Sequence, residues 1–284
     1  MKKILSFLSI ALFLTGLNSC QDPDPASVYG WTAQGQNIPG PRILQKVELG
    51  TQLVEEYTST NGTLTKMTQF VYDNTALSEK HEFSLTYNGN KVTSMNVNHT
   101  DLNNNQQSTD VLTPVYSGIR LVSYTRVTTY PVMVTNHIGQ LSYDTSGKIT
   151  KLLEKSFHGN NALPSVEKHY NLTYSGNNIA KVEKITKNMD PTTGTVMNTF
   201  VENDEYTLYD TKLTPYSTLP KYYRMLLSAV VPNYFYTLSE NNPGKYKMSN
   251  PLLPVPVEQV NSFQYDQQNY AITNGSLRYF YKAL

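Results

Sequence analysis

One stretch, Tyr143-Asp144-Thr145-Ser146-Gly147-Lys148-Ile149-Thr150-Lys151-Leu152, constrains this 284-residue chain more than any other, because degenerate copies of it return at a nearly fixed interval. Tyr57, Tyr87, Tyr116, Tyr143, Tyr174 and Tyr206 are separated by 30, 29, 27, 31 and 32 residues. A period near 30 holds two strands with their connections, so each copy reads as a β-hairpin. Ahead of each turn, apolar and polar residues alternate (Phe83, Leu85, Tyr87; Tyr170, Leu172, Tyr174), the period of a half-buried strand. Residues 144–147 carry turn chemistry: Asp and Ser hydrogen-bond their own backbone, and Gly accepts positive φ. After the turn the apolar residues stand three apart: Leu64 and Met67, Val92 and Met95, Ile119 and Val122, Ile149 and Leu152, Ile179 and Val182. In a regular strand that spacing points to opposite faces. Either a bulge realigns each pair, or the sheet is apolar on both sides near its turns. The pattern predicts an all-β fold, a large and strongly curved antiparallel β-meander, open or barrel-like.

The repeat stops after Tyr209. Pro215, Pro220 and Pro232 bracket residues 221–231, where Tyr223, Leu227 and Val230 have helical spacing, so one short helix is expected near the C-terminal part. Residues 243–256 are too rich in Pro for a central strand and are expected to form an irregular cover. Closing strands are expected at 260–265 and 276–281. The long polar connections at 101–110, 159–164 and 188–194 lie opposite the short turns, where binding is commonly hosted.

At the start of the chain, Lys2 and Lys3 precede an apolar run over residues 4–17, the layout of a secretory signal. The run is too short to span a bilayer, which takes about 20 apolar residues. It ends in Leu17-Asn18-Ser19-Cys20, which resembles the lipobox of bacterial lipoproteins, and Cys20 is the sole Cys of the chain. The resemblance implies cleavage before Cys20 and attachment of three acyl chains there, each buried CH2 contributing about 0.8 kcal/mol to membrane binding. Residues 1–19 would then be a signal peptide, 20–42 an anchored tether and lead-in, and 43–284 a single β domain. Asp22 and Asp24 after the lipid Cys resemble the surface-export signals of Bacteroidetes-type lipoproteins, which implies an outer-membrane, surface-exposed location.

Composition removes several functional classes. The formal charge is +1 and falls to about −1 when Lys2 and Lys3 leave with the signal, with no basic field to hold nucleic acid. With Cys20 consumed, the domain has neither disulfide nor thiol, so its stability must come from buried surface and sheet hydrogen bonds. Tyr (22) outnumbers Phe (9) and Trp (1), which suits sheet faces that are partly wet. No Gly-x-Ser-x-Gly elbow, His-Glu-x-x-His, phosphate loop or paired Cys motif occurs. His81, His99, His137, His158 and His169 are isolated in sequence and read as surface residues of strands or loops. Glu202, Asp204 and Glu205 form the densest acidic cluster but lack the alternating oxygen ligands of a calcium loop, so neither metal nor cofactor is expected. Tyr222, Tyr223, Tyr234, Phe235 and Tyr236 gather around the expected helix. They are the candidate ligand-binding residues, suited to stack on sugar rings or contact a partner protein; structurally, they would plug the open end of a curved sheet.

The lipobox, the Tyr-turn-Gly-Lys-Ile-Thr hairpins, residues 210–220, Ser239-Glu240-Asn241-Asn242-Pro243 and Phe263-Gln264-Tyr265-Asp266 together resemble a family of Bacteroidetes lipoproteins with a porin-like fold. The likeness runs over about residues 43–281. It departs at Asp266-Gln267-Gln268-Asn269, where the family pattern has Gly-Tyr-Pro after the late Tyr-Asp. The resemblance implies a curved antiparallel meander and brings no catalytic residues. The expected function is a lipid-anchored, non-catalytic cell-envelope protein that binds a glycan or an envelope protein. The alternative is a glycan- or peptide-processing hydrolase on the same scaffold, which would need two carboxyls about 5 to 10 Å apart across a cavity. A membrane-spanning barrel is disfavoured, because the entering strands read short and Glu55, Lys151 and Glu183 interrupt any lipid-facing row.

Overall fold

The computed structural model describes residues 41–284; the expected signal, Cys20 and the expected tether up to residue 40 lie outside the described residues, and Arg42, placed in the lead-in by the sequence, already belongs to the first strand. Twelve consecutive strands form an antiparallel meander: β1 (Arg42–Leu49), β2 (Gln52–Thr60), β3 (Thr63–Asp73), β4 (Ala76–Asn88), β5 (Lys91–Asp101), β6 (Gln106–Ser117), β7 (Arg120–Tyr130), β8 (Met133–Tyr143), β9 (Ile149–His158), β10 (Val166–Ser175), β11 (Asn178–Met189) and β12 (Val196–Leu213). After a helical excursion, β13 (Asn241–Ser249) pairs with β12, and β14 (Val257–Val260) pairs with β13. The chain then forms β15 (Gln264–Tyr265), β16 (Ala271–Thr273) and β17 (Leu277–Ala283), and β17 docks on the free side of β1. The 17 strands make one antiparallel sheet that is not closed into a barrel, since no ladder joins β14 to β15.

The hairpin repeat has a specific physical cause. In four of the five units the register slips just before the anchor tyrosine, between Thr86/Tyr87, Val115/Tyr116, Ser142/Tyr143 and Thr173/Tyr174, and in the first it slips just after Tyr57, between Thr58/Ser59. Each slip is a bulge that leaves one residue of the returning strand unpaired: Thr65, Thr93, Val122, Thr150 or Ala180. The bulge turns apolar residues three apart onto the same concave face, so Leu64 and Met67, Val92 and Met95, and Ile179 and Val182 are all buried. The bulged threonines donate their hydroxyls across the strand pair, Thr65 to Thr58 O and Thr93 to Thr86 O, both at 3.2 Å. The third unit differs from expectation. Its buried pair is Leu121 and Tyr124, while Ile119 sits in the turn, 78% exposed.

Neighbouring units are clasped through the residue that follows the turn. Lys91 crosses to the next hairpin, where its Nζ donates to Gly118 O at 2.6 Å and lies 5.5 Å from the Tyr116 ring centroid. Lys148 repeats this on Gly176 O (2.6 Å) and Tyr174 (5.5 Å), and Arg120 lies 4.8 Å from the Tyr143 ring. In return, anchor hydroxyls donate to the preceding unit: Tyr116 to Val92 O at 3.0 Å, and Tyr143 to Leu121 O. Gly118 opens its two-residue loop at φ +60°, the conformation a primed hairpin turn demands. Five anchors lie within the last four residues of the strands entering their turns. Tyr206 does not: β12 continues to Leu213, and Tyr209 makes the equivalent bond, its hydroxyl donating to Ile179 O at 2.7 Å.

Three further expectations are corrected. Strands β4, β6, β8 and β10 span 13, 12, 11 and 10 residues, so they are not short; two-residue turns leave most of each 30-residue unit to strand. Residues 241–249 are strand rather than irregular cover. Pro243 is tolerated there because it stands opposite Tyr209, where the β12–β13 ladder is already interrupted. The single strand expected at 260–265 is divided between β14 and β15, and this is where the two edges of the sheet meet. That seam is built from polar residues: Asp210 accepts from Tyr265 OH and from Asn242 N (3.2 Å), and Lys212 Nζ donates to Asn269 (2.6 Å). Nearby, Arg42 pairs with Asp266 at 2.5 Å, both side chains hidden from solvent.

The helical excursion fills the concave side at the hairpin-turn end. It runs through a 3-10 turn (Pro215–Thr218), helix α1 (Lys221–Val230) and a second 3-10 segment (Pro232–Leu238). Tyr223, Leu226 and Leu227 of α1 are fully buried in the core formed by the inward residues of the strands.

Candidate binding site

Two cavities flank the first residue of α1 at the hairpin-turn end. The larger, about 270 Å³, is lined by Lys148, Tyr174, Asn177, Lys221, Arg224 and Glu240, among others. The smaller, about 180 Å³, is lined by Arg120, Tyr143, Tyr222 and Met225, and shares Lys221. The lining residues arrive from three hairpin turns and the strand ends beside them, from the start of α1, from Ser217 of the first 3-10 turn, and from the chain leaving the second 3-10 segment. Four cations and one carboxylate line the pair. The carboxylate, Glu240, accepts from Asn177 Nδ2 at 2.7 Å. Arg224 is half-buried; its Nη1 donates to Thr237 O, its enclosed Nε has no partner among the described residues, and burial pulls its pKa down to about 10.

The five aromatic candidates separate by position. Tyr223, Tyr234 and Phe235 are buried, and Phe235 packs on Tyr170 at 5.1 Å between centroids. Tyr236 is half-buried among Tyr206, Tyr216 and Tyr234. Tyr222 alone reaches a cavity, edge-on to Tyr116 at 5.4 Å with its hydroxyl on Ile119 O. Beneath them lies Glu55, 5% exposed, which accepts from Tyr57 (2.8 Å), Tyr216 (3.2 Å) and Tyr234. Burial raises the Glu55 pKa against the lowering effect of those three hydroxyls.

Farther from the turns, the concave face carries a belt of polar residues that the sequence did not reveal. Cross-strand pairing places its members on one face, from His81 on β4 to Tyr246 on β13. His99 Nε2 donates to Asp110 at 3.0 Å, and its Nδ1 shares a hydrogen bond with His81 Nδ1 at 2.7 Å, while His81 Nε2 lies 3.3 Å from Glu79. Arg126 reaches Asp110 at 3.6 Å and Glu154 at 2.8 Å. Arg126 also donates to His137 Nδ1 at 3.3 Å; the ring proton is therefore on Nε2, which donates to Thr128 Oγ1 at 3.0 Å. Burial and the Arg126 charge hold the His137 pKa near 4, so its ring is neutral. Burial works against charge on Asp110 and Glu154, yet His99 and Arg126 keep Asp110, and Arg126 and Lys168 keep Glu154, below the ordinary carboxylate range.

His81, His99 and His137 are thus inward-facing members of a network, not the surface residues their isolation suggested. The acidic cluster divides as strand alternation requires. Glu202 and Asp204 turn inward onto Lys184 (2.9 and 2.5 Å), and Glu205 turns outward to Lys247 (3.5 Å). Among the described residues, no group of three or more His, Cys, Asp or Glu side chains is arranged to hold a metal ion.

No family model and no curated protein matches the chain. Among solved structures it is similar to a porin-like protein from Bacteroides vulgatus, at 10% identity and a TM-score of 0.44, over 86% of this chain and 100% of that one.

Proposed function

We propose that this chain is a lipid-anchored protein of the cell envelope that binds a ligand at the hairpin-turn end of its β-meander and performs no catalysis. One observation carries the reading. The 3-10 turn, α1 and the second 3-10 segment pack Tyr223, Tyr234 and Phe235 into the concave side at that end, and the cavities lie where they meet the turns. Such an arrangement suits capture of a small molecule or a glycan end more than passage of solute. The alternative, a glycan- or peptide-processing hydrolase, is weakened by the state of the concave carboxylates. Asp110 and Glu154 share Arg126 and are held below the ordinary carboxylate range, so these two are committed to ion pairs rather than poised for proton transfer, and Asp204, whose pKa burial raises against the effect of Lys184, has that cation as its closest partner.

The anchor rests on the residues around Cys20, and surface display on Asp22 and Asp24. Cys20→Ala is expected to abolish metabolic labelling with a palmitate analogue and to release the protein from membranes; unchanged labelling would remove the anchor from the proposal. Protease shaving of intact cells tests the exposed location. A glycan and peptide library tests binding: retention of an unaltered ligand supports the proposal, and appearance of cleavage products would establish the hydrolase instead.

A further inference from the structure

We infer that the 270 Å³ cavity is a site for an oxyanion: a carboxylate, sulfate or phosphate group carried by a small polar molecule. The inference rests on the reading above that this end of the molecule binds a ligand, and it specifies the ligand's chemistry.

The argument begins with how cations are treated elsewhere on the sheet. Lys66, Lys155, Lys184, Lys245, Lys247 and Arg126 each meet a carboxylate between 2.5 and 3.5 Å away. The four cations of the two cavities lack such a partner, as do Lys91, Lys151, Lys187, Lys212 and Lys282 among the described residues, and of the cavity four Arg224 is set deepest, half-buried at the site. Arg120, Lys148, Lys221 and Arg224 form no ion pair among the described residues. A charge withdrawn from water is costly unless a counter-charge or strong hydrogen bonds replace the solvent. Among the described residues Arg224 has one backbone carbonyl and an enclosed Nε without a partner. Its guanidinium is a planar fork of donors, the geometry that grips carboxylate, sulfate and phosphate oxygens.

The surroundings add positive potential from independent sources. Lys148 stands on the rim, and Lys221 is the first residue of a ten-residue helix. That helix has no side-chain cap at its N-terminus and no acidic residue in its first turn, so the positive end of its dipole is uncompensated. The one lining carboxylate, Glu240, is exposed and occupied by the Asn177 amide. Beyond Lys221 the second cavity contributes Arg120 and no acid, so a ligand carrying a second anionic group would find a second cation there.

The test is calorimetric titration of the full-length protein in non-ionic detergent with sodium sulfate, sodium phosphate, sodium glucuronate and neutral glucose, at constant ionic strength. Saturable binding of at least one anion is expected, weakened tenfold or more in the double variant Lys148→Glu/Lys221→Glu. Lys181→Glu, on the outer face of β11, should leave it unchanged. Arg224→Lys should weaken binding while preserving the charge, because the fork is lost. Vesicles of phosphatidylcholine with and without phosphatidylglycerol distinguish a lipid headgroup from a free molecule as the source of the oxyanion: selective binding to the anionic vesicles, lost in the double variant, assigns it to the headgroup. No saturable response to any anion or anionic vesicle, or binding indifferent to the double variant, overturns the inference. Glucose binding that the double variant abolishes, without any anion response, would overturn the oxyanion chemistry and leave the ligand-binding role standing.

Discussion

Gly139 faces Tyr124 directly across the β7–β8 ladder, and a methyl group at position 139 would lie 2.1 Å from the tyrosine ring. The absent side chain lets the ring lie over β8 and carry its hydroxyl to Glu154 on β9, 2.7 Å away. Gly139→Ala must therefore displace Tyr124 or bend the strand. Overpacking of this kind costs about 1–3 kcal/mol, and the buried Glu154 would lose a donor as well. The expected result is a lower urea midpoint with unchanged slope; a midpoint equal to that of the wild type would show that the ring has room to move.

Two anchor tyrosines give opposite expectations. Tyr116 donates its hydroxyl to Val92 O, whereas the hydroxyl of Tyr87 is buried without a partner among the described residues. A net hydrogen bond contributes about 0.5–1.5 kcal/mol, while an unsatisfied buried hydroxyl carries a desolvation cost. Tyr116→Phe should destabilise by about 1 kcal/mol, and Tyr87→Phe should be neutral or stabilising. Denaturation of the two variants side by side checks the difference, and equal losses would contradict it.

The local architecture was far more legible than the polar interior. Anchor tyrosines, turn glycines and helical spacing at residues 221–231 are signals between near neighbours, and the structure places hairpins and α1 where they stand. The three-residue spacing left a choice between a bulge and a two-sided sheet, and Thr65, Thr93 and Thr150 resolve it in favour of the bulge. By contrast, His81, Asp110, Arg126, His137 and Glu154 meet only because successive registers carry them onto one face. No local pattern encodes those registers, and each bulge shifts the alternation. The cavities depend in turn on how α1 returns to the hairpin turns, a contact between segments about 100 residues apart, as in Tyr222 on Ile119.

Stability should depend on pH through Glu55. Its pKa in the folded protein is raised above the ordinary 4.5, chiefly by burial. The native state then holds that proton longer than the unfolded chain, so this residue's contribution to stability is greatest at acid pH. It declines as pH rises from 4.5 through the raised value. Glu55→Gln, which stays neutral, should remove this decline. The measurement is unfolding free energy against pH for both proteins: the difference between them should move in favour of Glu55→Gln as pH rises, and parallel curves would contradict the assignment.

The outer wall is expected to face water. Ion pairs cross it between neighbouring strands: Lys66 with Glu82, Lys155 with Glu167, and Lys245 with Glu258. Val111, Val115, Val127 and Ile138 do form an exposed apolar strip, but it is confined to β6–β8. A lipid belt must encircle the whole sheet, and a Lys or Arg at the bilayer midplane costs about 2–4 kcal/mol. Residues 21–284, expressed without signal or lipid Cys, should therefore sediment as a monodisperse β-rich species in plain buffer. Aggregation that only detergent reverses would instead favour a spanning barrel.

The pairing of β1 with β17 has a consequence for chain order. Leu284 N donates to Pro41 O at 3.0 Å, so the two ends of the described chain leave the sheet side by side at the hairpin-turn end. The ladder does not register which of these strands is made first. A circular permutant that links position 284 to position 41 and opens in the exposed turn at 144–147 would preserve every strand pairing while moving both termini into the middle of the former sequence. In this molecule the beginning of the chain belongs to the reading frame, whereas the break in the sheet between β14 and β15 belongs to the fold, and the two need not coincide.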